Sequence, residues 1–173
     1  MKKWMRNFIE HFLQRLVSNL VAIFPTLELI MTFSAELIDE DFGTYHLFYL
    51  DYVHPIVTNY HDYNFIWFGI LIGIFQVAIE GRLPVPYFVR YYFIQYATLN
   101  VAFTVVSLLF NYLVKNEIMA TILGIFFIRT WVLFSAGLIV YCFVMVIFGK
   151  YATIPLITEA TLFNLQRSRK RDN

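Results

Sequence analysis

Four long apolar stretches, at residues 16–38, 64–79, 87–114 and 118–148, constrain this chain more than any other feature. About 20 apolar residues carry a helix across the hydrocarbon core of a bilayer. Only 14% of the 173 residues are charged and 60% are hydrophobic, whereas a soluble domain carries about 25% charged residues to cover its surface. The expectation is an all-α polytopic membrane protein: one membrane domain over 1–173, with four transmembrane helices.

The charges order these stretches. Lys2, Lys3, Arg6 and Arg15 precede the first; Arg82 and Arg90 lie between the second and third. Lys150, Arg167, Arg169, Lys170 and Arg171 follow the fourth. The loop 39–63 has no Lys or Arg but holds Asp39, Glu40, Asp41, Asp51 and Asp62, and the turn between the third and fourth stretches has only Lys115. Four spans put the basic segments on one side, which predicts both termini on the inner side. Residues 1–15 form a basic amphipathic segment; Glu10, His11, Gln14 and Arg15 interrupt what would be the apolar core of a signal peptide. The acidic, Tyr-rich loop 39–63 is expected along the outer interface. Segment 149–173 ends in a basic tail that orients the chain, or holds anionic membrane lipid or a soluble partner.

Polar groups inside the spans are expensive, so their spacing carries information. Asn100, Thr104, Ser107 and Asn111 recur at i, i+4, i+7 and i+11 on one helical face. Gly69, Gly73, Gln76 and Glu80 repeat that spacing in the second span, where the two glycines would allow close helix approach. In the first span Ser18, Ala22, Pro25, Thr32 and Glu36 share a face, with Glu28 at its margin. These faces should turn toward each other or toward another protein. They either glue the bundle or line a hydrophilic path, and periodicity alone does not choose. Glu28 and Arg129 are charges at membrane depth that could pair.

Enzymatic patterns are absent. There is no nucleophile elbow, phosphate loop, His-Glu-x-x-His or Cys pair, and no cofactor motif. His46, His54, His61 and Asp62 match no standard zinc spacing, which favours solvated histidines over a metal site. The lone Cys142 reads as a small apolar filler. Nothing recommends a nucleic-acid partner.

The segment Leu83-Pro84-Val85-Pro86-Tyr87-Phe88-Val89-Arg90-Tyr91, followed by Gln95, resembles the signature of the twenty-kilodalton subunit family of the chloroplast inner-envelope protein translocon. Tyr141-Cys142, Gly149-Lys150, Ile154-Pro155-Leu156-Ile157-Thr158-Glu159-Ala160 and Gln166 resemble the family's closing pattern; Arg15 to Pro25 is a weaker match to its first helix. Tyr92 stands where many members have Asn, Tyr96 where Ala is usual, and Asn100 where an acidic residue is common. The acidic loop has no counterpart in the resemblance.

The resemblance implies a TIC complex component in the plastid inner envelope, without catalysis, its termini in the stroma. Its partners would be other inner-envelope translocon subunits, the outer-envelope translocon by association, and precursor polypeptides in transit. A start unlike a transit peptide suggests a plastid-encoded or cyanobacterial-type member. Arg90 and Gln95 would orient the chain, bind a partner or anchor the interface, and Tyr87, Phe88 and Tyr91 are expected in the aromatic belt. A small-solute transporter or channel, or a purely structural assembly subunit, are the alternatives.

Overall fold

The computed structural model describes residues 3–37, 49–80, 85–109 and 122–171. Among them the chain is helical throughout: α1 (Lys3–Leu20), α2 (Ile23–Leu37), one π-helical turn (Tyr49–Val53), α3 (His54–Asp62), α4 (Asn64–Glu80), α5 (Tyr87–Leu109), α6 (Ile122–Ile147) and α7 (Ile157–Arg171). No strand occurs in the described residues.

The first apolar stretch is not one uninterrupted helix. Pro25 lacks an N–H, and its ring crowds the carbonyl four residues back, that of Val21. The backbone tightens there instead, with Ala22 N–H donating to Asn19 O at 3.1 Å and Phe24 N–H to Val21 O at 3.3 Å. Across this break, Ile9–Thr32 still has the length and composition of one span. The boundary read at residue 15 therefore falls inside α1.

Tyr87–Leu109 and Phe126–Ile147 also qualify as spans. The second apolar stretch qualifies only when α4 is counted with the preceding Tyr49–Asp62 segment, from which it is bent by 81°. Among the described residues three helices are long and apolar enough to cross a membrane, or four if the bent pair counts as one span. Their outward faces carry large apolar side chains, with Phe65 90% and Leu133 73% exposed. Such surface is costly in water and suits lipid or another apolar helix.

α5 is the hub. It packs against α1, α2, α4 and α7, while α6 lies on α1 and α2. Consistent with that position, Tyr91, Tyr92, Ile94, Gln95, Tyr96 and Leu99 are all buried. A smaller cluster of Leu29, Ile128 and Val132 joins α2 to α6.

Candidate functional site

Two polar assemblies hang on α5, one at span depth and one at the end of α5 that carries the Phe-Val-Arg segment.

The first surrounds Glu28. This residue is buried, not marginal, at 4% exposure. Tyr60 on α3 donates to Glu28 Oε2 at 3.3 Å, and the Thr104 hydroxyl also faces the carboxylate. Thr32 Oγ1 lies 2.8 Å from Ser107 Oγ and bonds the Glu28 carbonyl at 2.8 Å. Asn100 is buried beside them, its side-chain oxygen without a hydrogen-bond partner in the structure. The polar faces of the first and third apolar stretches thus turn toward each other, and Tyr60 closes over them. A buried carboxylate with hydroxyl partners ties α2, α3 and α5 together, because each of these groups would otherwise be unpaired in an apolar medium. Asn111 and Glu36, read on the same faces, lie outside the residues whose side chains are described.

Arg129 takes no part. Ile128 and Val132 turn inward against Leu29; one residue on, about 100° around the helix, Arg129 is exposed. No ion pair joins it to Glu28 among the described residues, so the pairing weighed from sequence is not formed.

The second span behaves differently. Gly69, Gly73 and Gln76 are all exposed, and a Cβ added at either glycine would meet nothing within 4 Å. Among the described residues the glycines serve no close helix approach; α4 turns its buried Leu71 and Ala78 toward the bundle instead.

The second assembly gathers the Phe-Val-Arg segment and the closing pattern into one unit. Arg90 donates through Nε to the Ala78 carbonyl at 2.7 Å and through Nη2 to that of Ile79 at 3.4 Å. It thereby supplies donors to the last turn of α4, where carbonyls lack intrahelical partners and a cation is favoured. Tyr91 and Gln95 both donate to the Ala152 carbonyl, Gln95 at 3.2 Å. Tyr92 donates to the Lys150 carbonyl and accepts from Ala152 N–H at 3.0 Å. The connector between α6 and α7 has no ladder of its own, and α5 satisfies its backbone at Lys150 and Ala152.

Gly149 shapes the connector's start. Its φ is +67°, its N–H donates to Val146 O, and Lys150 N–H donates to Met145 O, both at 2.9 Å. This is a Schellman ending for α6, in which the left-handed position favours glycine. At the other end Ile154 N–H donates to Thr158 Oγ1 at 2.7 Å. Pro155 and Glu159 are exposed there, Glu159 within the first turn of α7, where an acidic side chain complements the helix dipole. Lys150 and Pro86 are also exposed, and Val89 is buried.

The belt expectation fits Tyr87, 51% exposed, and fails for Tyr91, which is buried and bonded to the connector. No spacing or charge in the sequence marks Tyr60, Tyr92 and Tyr96 as site residues, yet all three are buried. Tyr60 and Val57 sit three apart on α3 and are both buried, a faint signal that this part of the loop packs. Of the histidines, His54 and His61 are exposed, His61 lies 3.5 Å from Asp62, and His46 falls outside the described residues. Side chains of the basic tail from residue 167 on are likewise outside them. No group of three His, Cys, Asp or Glu able to hold a metal occurs among the described residues.

The chain is 27% identical over 146 residues to the Tic20 family protein Ycf60 of Cyanidium caldarium, covering 84% of this chain and 70% of that protein. The similarity supports membership of the Tic20 family. No family model matches the chain, and no solved structure matches it. In this chain the residues that carry the resemblance have concrete partners: Arg90 bonds the last turn of α4, while Gln95 holds the connector that follows Gly149.

Proposed function

We propose that the chain is a membrane subunit of the plastid inner-envelope protein-import translocon and borders the path of precursor polypeptides together with partner subunits. The observation that carries this reading is the Tic20-family similarity, which runs over 84% of the chain. The bonding of the Phe-Val-Arg segment to the closing pattern supports it, since the residues that carry the resemblance act as one unit here. The charge distribution favours both termini in the stroma. The chain is taken to need no catalysis or cofactor for this work, and its partners are other translocon subunits and the precursor.

A translocon must satisfy the backbone of an unfolded chain, because unpaired peptide groups in lipid cost several kcal/mol each. The faces read as path-lining on α2 and α5 are closed against each other around Glu28, so they serve as assembly glue. The outward stripe of Gly69, Gly73 and Gln76 on α4 is an exposed surface suited to meet a partner or the precursor. Site-specific photo-crosslinking in intact plastids, with a precursor stalled in transit, tests this. Probes at Gly73 and Gln76 should capture precursor or a partner subunit, while probes at Asn100 and at outward-facing Val105 should not. Capture of neither at α4, with solute flux from the purified chain alone, would favour a small-solute transporter.

A further inference from the structure

Arg15 stands where two cavities meet. On one side His11, Gln14, Phe88 and Gly149 line with it a pocket of about 290 Å³ in which polar and apolar groups mix. On the other, Arg15 opens an apolar groove of about 450 Å³ between α1 and α6, lined by Phe12, Leu16, Leu20, Phe143 and Ile147. One guanidinium nitrogen is fixed by donation to the Ile147 carbonyl at 2.8 Å. An arginine has five N–H donors in a planar fork suited to phosphate, so that single bond orients the group and leaves donors for an anion.

We propose that the seam between α1 and α6 holds one anionic phospholipid, its phosphate on Arg15 and an acyl chain along Phe12, Leu16 and Phe143. The argument is complementarity of two kinds at adjoining places. A cationic, hydrogen-bonding pocket at the Arg15 level adjoins a groove whose lining is apolar apart from Asn19 and Arg15. The groove also lies within the Ile9–Thr32 and Phe126–Ile147 spans, on side chains that are exposed in the bundle. A free anion would use the first cavity and leave the second empty. A zwitterionic lipid would use both less well, because its choline or ethanolamine group offsets the charge that its phosphate offers the guanidinium. Basic pockets between membrane helices bind lipid headgroups by this combination. The site would bind the bundle's first helix to the last span through the lipid. It needs only the membrane reading and stands apart from the import function.

The full chain, reconstituted in phosphatidylcholine bilayers doped with phosphatidylglycerol bearing a photoactivatable acyl chain, provides the test. Adducts should map to the peptides containing Leu16–Leu20 and Phe143–Ile147, above the level at exposed Leu133. A matched photoactivatable phosphatidylcholine, whose choline offsets its phosphate charge, should label the seam clearly less than phosphatidylglycerol does. Arg15→Gln should lower the phosphatidylglycerol adduct about fivefold, the factor one basic residue confers near an anionic headgroup. Leu16→Trp keeps Arg15 and its bond to Ile147 but fills the groove, and should lower the adduct as well. Equal labelling by the two lipids, or adducts unchanged in both variants, would overturn the proposal. Loss of the adduct in Arg15→Gln with no loss in Leu16→Trp would also overturn it, in favour of a free-anion site.

Discussion

The Arg15 guanidinium occupies the space that a side chain at residue 149 would take: a Cβ on Gly149 would fall 2.8 Å from Arg15 Nη2. The same guanidinium holds the Ile147 carbonyl, in the last turn of α6. Glycine at 149 thus does two things, admitting a left-handed φ of +67° and leaving room for the arginine that secures α1 to the end of α6. The two positions are far apart in sequence and belong to separate parts of the family resemblance, yet they form one joint.

Gly149→Ala should therefore destabilise the bundle by more than the left-handed backbone penalty of about 1–2 kcal/mol. In an Arg15→Ala background only the backbone part should remain. Thermal unfolding of the purified full chain in one detergent, run as a double-mutant cycle, reads the difference. Additive effects would mean that Arg15 moves aside without cost.

Leu156 offers the opposite sign. It has φ 66°, with Ile157 N–H donating to Pro155 O across it at 2.8 Å, a tight turn that strains an L side chain. At 78% exposure it has little packing to lose. Leu156→Gly should leave stability unchanged or raise it by about 1 kcal/mol, the strain relief offset in part by the entropy of the unfolded glycine. A fall in stability would show that Leu156 packs against something outside the chain.

Tyr92→Phe removes both a donor to Lys150 O and the acceptor of Ala152 N–H. The loss should cost about 1–3 kcal/mol, because buried backbone groups are left without partners. Hydrogen exchange gives the local reading: the Ala152 amide should exchange faster in the variant while amides in mid-α6 keep their protection. Equal acceleration everywhere would indicate global loosening instead.

The scaffold was legible where composition and spacing carry it. Four apolar stretches and a polar stripe at Asn100, Thr104 and Ser107 announce helices and an inward face. Glu28 was visible as a charge at membrane depth, but its partner was not. Tyr60 lies 32 residues away in a Tyr-rich loop, and no periodicity relates an interfacial segment to the helix beneath which it folds. Charge alone points to Arg129 as the partner, whereas helical phase decides, and phase turns Arg129 outward. The family motif marked Arg90 and Gln95 without stating their task. Both bond backbone carbonyls, and a carbonyl leaves no trace in residue identity. Gly69 and Gly73 misled for a related reason: small residues permit close approach, but a sequence does not say whose helix approaches.

In the Glu28 cluster, Glu28→Gln should be tolerated, since an amide oxygen still accepts from Tyr60. Glu28→Leu should cost about 1 kcal/mol, the scale of interhelical polar contacts in membranes, by stranding the Tyr60 hydroxyl. The cost of Tyr60→Phe should vanish once Glu28→Leu is present. Unfolding of the four chains in a common detergent, with tyrosine exposure as the probe, checks this. A full Tyr60→Phe cost in the Glu28→Leu background would show that the hydroxyl acts through Asn100 instead.

The outward glycines allow folding and assembly to be separated. A Cβ at 69 or 73 meets nothing within 4 Å among the described residues, and replacing a mid-helix glycine should even gain about 0.5–1 kcal/mol of helix stability. The isolated Gly69→Leu/Gly73→Leu chain should therefore unfold at the same temperature as the parent or slightly higher. If α4 presents this stripe to another subunit, however, two isobutyl groups would hold the partner helix away from the close approach that small residues permit. The expected outcome is a well-folded chain that no longer co-purifies with its neighbours from solubilised membranes, while Val105→Leu, on the exposed face of α5, retains them. Retention of all partners by the double variant would place the assembly surface on another helix and leave α4 facing lipid or precursor.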